Sequence, residues 1–312
     1  MRFSLWALGA VLALGLPVLA QQATPPAQAE RTPFVSLTQD NLDVMVANVQ
    51  RPNGMVYFDG KLYTICNGDW TIYQIDAKTA TTVTYVNGAR NAHQMYIEAT
   101  DKGKGFNLWI PDFDLNRLSV VTNLRDAPAP LATRDLKGPW GIVPLDDTHF
   151  LVSNLKADNI VKISREGVVE TFLEGLRSPA GLAIENTTVK DKTVFVANNG
   201  SARRAIEWFT VTDEGKPSDL HPLVSGLQNA SNLVLGSDGY LYFTYALGSR
   251  GVVGRVWPDD CKDKGCTNEQ VEIVVYTEME APLSGLTISP DMEMFIHTIY
   301  RPEIYKVALE RG

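Results

Sequence analysis

The sequence has few of the features that point to a specific chemistry. Its 312 residues include only 3 cysteines and 4 histidines, and 36 acidic residues outnumber 28 basic ones, which gives a formal net charge of −8. This acidic balance argues against nucleic acid as the main partner, because phosphate binding needs a basic surface. There is no Gly-x-Ser-x-Gly elbow, Walker loop or dinucleotide fingerprint, so no common nucleophile or nucleotide-binding signature assigns a function.

Long apolar runs are also missing, except at the N-terminus. Residues 3–18 are apolar, follow Met1-Arg2, and lead to the small residue Ala20. This pattern predicts a signal peptide over residues 1–20; the alternative is a membrane anchor, although the run is short for a span. We therefore expect an exported protein, periplasmic or extracellular, with no membrane span and monomeric. Residues 21–40 are predicted to be a flexible lead-in, rich in Pro, Ala and Gln up to residue 33, and residues 41–312 a single domain.

The three cysteines divide into a close pair and a single one. Cys261 and Cys266 lie in one polar segment, and in an exported protein such a pair predicts a disulfide. A metal clip is the alternative, but two cysteines with no nearby histidine are too few ligands. Cys66 follows an apolar run, and we expect it to be a buried, unreactive thiol.

What the sequence does contain is a repeat. A unit with an apolar segment, an Asp-Gly or similar turn, a second apolar segment and an alternating third segment recurs about every 40–53 residues. The first segments of the copies are Pro52–Tyr57, His93–Tyr96, Pro139–Ile142, Pro179–Leu182, Ser231–Val234 and Ser284–Thr287. The copy that starts at His93 is the weakest.

Each unit reads as a small antiparallel sheet. The first segment is nearly continuous in apolar residues, as in a strand that packs on both faces, and the third alternates, as in a half-exposed strand. Fourth strands are predicted at Thr82–Tyr85, Val168–Phe172 and Glu272–Tyr276. Radial stacking buries both faces of such sheets. The predicted fold is therefore all-β, a six-bladed β-propeller of four-stranded antiparallel blades, with a β-sandwich as the alternative.

Six units of this length resemble the propellers of the NHL-repeat and senescence-marker protein/gluconolactonase group, over about residues 45–309. The segment Ser237–Thr244 also resembles the blade motif of streptogramin lyases. The resemblance rests on scaffold residues, so it implies the fold and not the activity.

The resemblance also implies where a site would lie. In such propellers the residues just before each inner strand surround one end of the central channel, and the ends of the second strands face the same side. The first column reads Asn53, His93, Trp140, Ala180, Ser231 and Ser284, and the second contains Asp112, Asn154 and Asn198. From these we take Asn53, Trp140, Asn154, Asn198, Ser231 and Ser284 as candidate ligand-binding residues.

The related lactonases bind a divalent cation at this place, which suggests Ca²⁺ or Mg²⁺ here. The candidate metal ligands are Asn53, Asp112, Asn154 and Asn198. Calcium prefers six to eight oxygen ligands, usually with carboxylates among them, yet the first column contains no carboxylate. This difference counts against a catalytic metal.

His93 is the candidate catalytic residue, because a histidine at the rim can act as a general base; the alternative is a structural, hydrogen-bonded histidine. Trp140 either stacks on a flat or sugar-like ligand or closes the channel. Streptogramin lyases pair a histidine with a glutamate and magnesium, and no matching glutamate can be assigned here.

The first functional hypothesis is an exported propeller that binds a small polar ligand or a protein partner at the channel rim. The second is a metal-dependent hydrolase or lyase that acts on a lactone or ester, with the cation polarising a carbonyl oxygen. A third is a purely structural extracellular module.

Overall fold

Six small sheets form the protein, as seen in a computed structural model that describes residues 34–100, 105–185, 192–200 and 205–309. The predicted signal peptide and residues 21–33 of the lead-in lie outside the described residues. Each sheet contains a run of four antiparallel strands, named here inner, second, third and outer. The six-bladed, four-stranded propeller expected from the repeat is confirmed.

The strand bounds follow the repeat. Blade 1 consists of Pro52–Phe58, Lys61–Cys66, Thr71–Asp76 and Thr82–Asn87. Blade 2 consists of Tyr96–Ala99, Phe106–Asp112, Arg117–Val121 and Ala129–Ala132. Blade 3 consists of Pro139–Pro144, His149–Asn154, Asn159–Ser164 and Val169–Leu173. Blade 4 consists of Pro179–Glu185, Lys192–Asn198, Ala205–Val211 and His221–Ser225. Blade 5 consists of Leu233–Leu235, Leu241–Leu247, Arg250–Val256 and Glu272–Glu280. The weakest copy thus forms a complete blade 2.

Blade 6 is assembled from both ends of the described chain. Its inner, second and third strands are Leu283–Ile288, Glu293–Thr298 and Ile304–Ala308, and its outer strand is Asp43–Val46. Asp43 pairs with Lys306 and Val44 with Tyr305. The sequence did not reveal this strand, because four residues outside the repeat carry no recognisable periodicity.

Residues 34–40, assigned from sequence to the lead-in, also contact the propeller. Leu37–Thr38 forms a short strand parallel to the outer strand of blade 5, with Leu37 opposite Val275. A 3₁₀ turn over Gln39–Asn41 then leads into the outer strand of blade 6. The compact unit that contains the propeller begins at Phe34.

An insertion between the third and outer strands of blade 5 reaches back to blade 4. It contains the helix Pro258–Lys262, the strand Cys266–Thr267 and the 3₁₀ turn Asn268–Gln270; a further 3₁₀ turn, Leu155–Ala157, lies in blade 3. Cys266 pairs with Val224 of blade 4. The predicted Cys261–Cys266 disulfide is present, and Cys66 is a buried free thiol whose pKa is raised by burial. No helix among the described residues is long and apolar enough to cross a membrane.

The core lies between the blades and is built mainly from their second strands. The large side chains Tyr63, Phe150, Phe195, Phe243 and Phe295 are all on second strands and are fully buried. Burial of one such side chain contributes about 1.5–3 kcal/mol. The stacked blades therefore hold their inner strands in a fixed ring.

The inner strands approach one another most closely where they begin. The Gly181 amide donates to the Ser231 carbonyl of the next blade at 2.7 Å, and the Gly54 amide to the Ala92 carbonyl at 2.8 Å. A Cβ atom on Gly181 would lie 2.2 Å from that Ser231 oxygen. We call this end of the ring the mouth, since the inner strands begin and the second strands end there, and the opposite end the far end.

Candidate functional site

An aromatic cluster lies at the mouth between blades 2 and 3. The His93 ring stacks on Trp140 with ring centres 3.3 Å apart and planes 3° from parallel. Phe113, just after the second strand of blade 2, meets both rings edge-on, at 5.1 Å from His93 and 5.8 Å from Trp140. The Lys156 ammonium lies 4.2 Å from the Phe113 ring centre. The sequence predicted His93 and Trp140 at the rim, and the structure places them in contact.

His93 is uncharged in this environment. Burial lowers its pKa from the ordinary value of 6.5 to about 3, because desolvation disfavours the charged imidazolium. No hydrogen bond to either ring nitrogen is found within the described part of the chain. A general base works best when its pKa lies near the working pH, so this His93 is a weak proton acceptor and a better neutral hydrogen-bonding group.

Asn53 is fully buried and oriented by a chain of side chains. Its Nδ2 donates to Asn91 Oδ1 at 2.5 Å, and Asn91 Nδ2 donates to Asp114 Oδ1 at 3.2 Å. An ionised carboxylate can only accept hydrogen bonds, so Asp114 fixes which end of each amide faces it. Asn53 Oδ1 has no hydrogen-bond partner. The Asp114–Asn91–Asn53 relay therefore leaves one buried acceptor at the mouth.

Asp112 uses both of its carboxylate oxygens within the scaffold. They accept from the backbone amides of Arg90 and Leu115, each at 3.0 Å. Burial raises the pKa of this carboxyl, and the two amide bonds partly oppose the shift. Asp112 thus joins the loop before the inner strand of blade 2 to the turn after the second strand.

Asn154 and Asn198 do the same in blades 3 and 4. Asn154 Oδ1 accepts from the Lys137 amide, and Asn198 Oδ1 accepts from the Arg177 amide at 2.7 Å. Asn198 Nδ2 also donates to a Glu207 carboxylate oxygen at 2.5 Å. These amides sit at the mouth as expected from sequence, but their oxygens already hold the loops that lead into the inner strands.

Ser231 and Ser284 connect neighbouring blades on the opposite side of the mouth. Ser231 Oγ lies 2.8 Å from Thr244 Oγ1 of its own blade and donates to the Leu283 carbonyl of blade 6 at 3.5 Å. Ser284 Oγ donates to the Pro52 carbonyl at 3.3 Å and lies 3.1 Å from His297 Nδ1. Burial lowers the pKa of His297 to about 3, and its Nε2 has no partner.

The candidate metal ligands do not form a cation site of the family's type. The described residues contain no group of three or more His, Cys, Asp or Glu that could hold an ion. Asp112, Asn154 and Asn198 direct oxygens to backbone amides, which leaves Asn53 Oδ1 as the one free oxygen of the four side chains named for this role. Calcium requires six to eight oxygens, so this donor set does not fit a divalent cation.

Polar atoms without partners gather at the mouth. The described residues contain eleven buried side-chain nitrogen or oxygen atoms that lack a hydrogen bond. Eight of them belong to residues at the mouth ends of the strands, namely Asn53, Asn67, Arg117, Trp140, Asn159, Asn199, His297 and Glu303. Buried polar groups in native proteins are nearly always paired, so this concentration makes the mouth the candidate binding region.

Comparison with solved structures agrees with the fold. A gluconolactonase from Xanthomonas campestris matches with a TM-score of 0.63 and 12% identity, over 86% of this chain and 89% of that one. Virginiamycin B lyase from Staphylococcus aureus matches with a TM-score of 0.58 and 12% identity, over 86% and 99%. A chain of a nidogen/laminin complex matches with a TM-score of 0.51 and 16% identity, over 72% and 84%. The chain has the fold of the gluconolactonase-like six-bladed propellers. No family model and no curated protein matches it.

Sequence reasoning missed three residues of this region. Asn91 and Asp114 complete the relay to Asn53, and Phe113 packs against His93 and Trp140. A usable signal was present, since Asn91 lies just before the rim position of blade 2 and Phe113-Asp114 directly follow the second strand. Asn91 lies two residues before His93 and Asp114 two residues after Asp112, so both fall outside the two columns of strand-end positions.

Proposed function

We propose that this protein binds a small polar molecule at the mouth of its propeller. The observation that carries the proposal is the concentration, at that end of the strands, of eight buried side-chain nitrogen or oxygen atoms that lack a hydrogen-bond partner. A buried donor or acceptor without a partner costs about 1–3 kcal/mol. A ligand that satisfies several of these groups recovers that free energy on binding, which is a strong basis for affinity and specificity.

The unpaired atoms also indicate the kind of ligand. Five are acceptors, the side-chain oxygens of Asn53, Asn67, Asn159, Asn199 and Glu303. Trp140 Nε1 is a donor. Hydroxyl groups donate and accept at once, so a polyhydroxylated molecule such as a sugar, a polyol or a sugar lactone matches this set. The aromatic cluster of His93, Phe113 and Trp140 offers apolar contact for the carbon skeleton.

A protein partner at the same rim is less well supported. The nidogen/laminin structure shows a propeller of this shape within a protein complex. In the present chain, however, the unpaired atoms are buried. Groups recessed in this way suit a small molecule better than a broad protein surface.

The alternative function is a lactone or ester hydrolase, or a lyase, that depends on Ca²⁺ or Mg²⁺. The names of the gluconolactonase and the virginiamycin B lyase favour it. The side-chain chemistry opposes it, since the candidate ligand oxygens bind backbone amides and the pKa of His93 lies far below neutrality. We therefore rank it second.

Thermal unfolding of the purified protein separates the two functions. The panel consists of monosaccharides, polyols and aldonolactones, with EDTA, Ca²⁺, Mg²⁺, Mn²⁺ and Zn²⁺ as separate arms. A ligand at 100 times its Kd stabilises the native state by about 2.7 kcal/mol. We expect a saturable shift with a polyhydroxylated compound that EDTA does not change. A shift that one cation produces and EDTA abolishes would favour the metal-dependent enzyme instead.

Two tryptophans provide a matched pair of variants. Trp140 and Trp208 both have a buried, unpaired Nε1, but Trp140 lies at the mouth and Trp208 in the middle of the third strand of blade 4. Trp140→Phe should weaken ligand binding about tenfold, which is the worth of one lost hydrogen bond. Trp208→Phe should leave binding unchanged. Equal effects of the two changes would show that the ligand does not bind at the mouth.

A further inference from the structure

A second cavity lies on the propeller axis, toward the far end. All six inner strands contribute to its wall, with Val56, Met95, Val143, Leu182, Val234 and Leu286 as representatives of blades 1 to 6. Its volume is about 240 Å³. The cavity is not lined by the first residue of the inner strand in blades 1, 3, 4 or 6, so it lies away from the mouth there. We call it the axial cavity.

The side chain of Gln94 crosses the ring at the wall of the axial cavity. It extends from blade 2 across blade 3 to blade 4, where its Nε2 donates to the Leu182 carbonyl at 2.8 Å and its Oε1 accepts from the Leu182 amide at 3.0 Å. It passes so close to Gly141 that a Cβ there would lie 2.9 Å from Gln94 Oε1. With both ends of its amide bonded to one residue, Gln94 forms a fixed floor under the mouth.

The chemistry of the axial cavity differs from that of the mouth. No charged side chain lines it. Its polar side chains are those of Gln94, Tyr96, Asn232 and Thr287. Gln94 is bonded to Leu182, Asn232 Nδ2 donates to the Leu283 carbonyl at 3.1 Å, and Thr287 Oγ1 accepts from the Tyr57 amide at 3.1 Å. These groups have partners, so a guest molecule gains little from polar contact and mainly from burial of apolar surface.

The size and adaptability of the wall suit a small guest. An apolar cavity of about 150 Å³ in another protein stays dry and binds benzene, and this one is larger. Met55 and Met95 line it side by side in blades 1 and 2, and methionine adjusts its shape readily. A neighbouring pocket of about 380 Å³ shares Leu235 with it, and Asp59, Ser237 and Ser289 line that pocket together with Tyr57, Phe58 and Pro290.

We propose that the axial cavity is a second binding site, which takes a small uncharged apolar molecule of about the size of a substituted benzene. The lining residues, the absence of charge among them and the Gln94 floor carry this assignment. The site does not depend on the ligand at the mouth, because the two regions share no residue named for either role.

The test is a titration of the purified protein with 4-fluorotoluene, followed by ¹⁹F NMR. We expect saturable binding with a Kd below about 1 mM, the range of a small ligand that buries most of its surface. Val56→Phe and Val234→Phe, which place a ring in the cavity from blades 1 and 5, should each weaken binding at least tenfold. Val83→Phe is the matched control, because Val83 is exposed on the outer strand of blade 1.

Two cavity-filling variants, Val56→Phe and Val234→Phe, are used in case one of them does not fold. Thermal unfolding of each shows whether it is native. Trp140→Phe should leave 4-fluorotoluene binding unchanged, so that loss of the mouth site and loss of the axial site are told apart. A linear, non-saturating titration of the wild-type protein would overturn the proposal. The proposal would also be overturned if the cavity-filling variants are native and bind 4-fluorotoluene as tightly as Val83→Phe does.

Discussion

The mouth and the axial cavity are built from the same six strands, yet their chemistry is opposite. At the mouth, buried polar atoms lack partners and two histidines are held neutral. In the axial cavity, no lining side chain is charged and the amides are bonded. Asn53 and Met55 are two residues apart on one strand and belong to the two different regions. Position along an inner strand, more than the blade it belongs to, therefore determines what a residue can do.

The largest loss of stability is expected from a substitution where the mouth ends of two blades are in contact. Gly181→Ala places a Cβ 2.2 Å from the Ser231 carbonyl oxygen and disrupts the hydrogen bond between these residues. The obstacle is backbone, so neither side can yield cheaply. Overpacking of this kind costs about 3 kcal/mol, which urea unfolding will show as a lower midpoint.

Gly105→Ala is the matched control for that change. Among the described residues its Cβ would meet nothing closer than 3.9 Å, so we expect a stability change within about 0.5 kcal/mol. Similar losses in both variants would mean that blades 4 and 5 are not in close contact at the mouth.

The next effect concerns the relay that orients Asn53. Asn91→Ala removes the partner of the buried Asn53 Nδ2, and an unpaired buried amide costs about 1–2 kcal/mol. Asp114→Asn keeps an oxygen acceptor for Asn91 and should cost less than half as much. Chemical unfolding of both variants provides the comparison. If Asp114→Asn is as damaging as Asn91→Ala, the negative charge of Asp114 has a role that the relay does not include.

A smaller effect should appear in the pH dependence of stability. The pKa of His93 and of His297 is about 3 in the folded state against an ordinary 6.5. Between these values the unfolded chain binds protons that the folded chain does not. The part of the free energy of unfolding that depends on these two histidines is complete above pH 6.5 and declines as the pH falls toward 3. For each histidine, the free energy of unfolding should fall by about 1 kcal/mol between pH 7 and pH 5.5.

His93→Phe tests this expectation, because phenylalanine can still stack on Trp140 but cannot titrate. The free energy of unfolding, measured by urea denaturation at pH 7 and pH 5.5, should fall by about 1 kcal/mol less in the variant than in the wild-type protein. Between pH 7 and pH 8 the two proteins should change in parallel. Equal losses on acidification would place His93 in a more hydrated position.

The smallest effect is expected in the axial cavity. Met55→Leu conserves volume next to open space, and such exchanges are well tolerated, so we expect a change of about 0.5 kcal/mol. Asn53→Leu, two residues earlier on the same strand, should cost more, since Asn91 then loses its partner at the mouth. A reversed order in thermal unfolding would contradict the contrast between the two regions.

The fold could be predicted from sequence because each blade repeats the same apolar pattern. The outer strand Asp43–Val46 could not, since it belongs to no repeat and pairs with Ile304–Ala308, more than two hundred residues away. The strand-end positions of the candidate residues could be predicted, but their hydrogen bonds could not. Asn154 and Asn198 stand in a column that suits ligands, yet their oxygens bind the amides of Lys137 and Arg177.

That difference has a physical cause. The repeat pattern shows which side chains lie at the end of each strand. Whether a side-chain oxygen there is free to bind a ligand depends on whether a backbone amide of a nearby loop already donates to it. The Gln94 floor shows the same limit, because its contact with Leu182 crosses an entire blade. No local pattern in the sequence encodes an interaction of that span.

The composition of blade 6 has a consequence for how the chain is made. Its outer strand, Asp43–Val46, is translated more than two hundred residues before the three strands that it joins, residues 283–308. Until those strands are made, the ring is an open arc with a sheet face exposed at each end, and Asp43–Val46 has no partner strand; unpaired strands invite pairing with other chains. The newborn protein therefore passes through a period of aggregation risk that ends only when its two terminal segments meet, and a chaperone that shields Asp43–Val46 would be most useful during that interval.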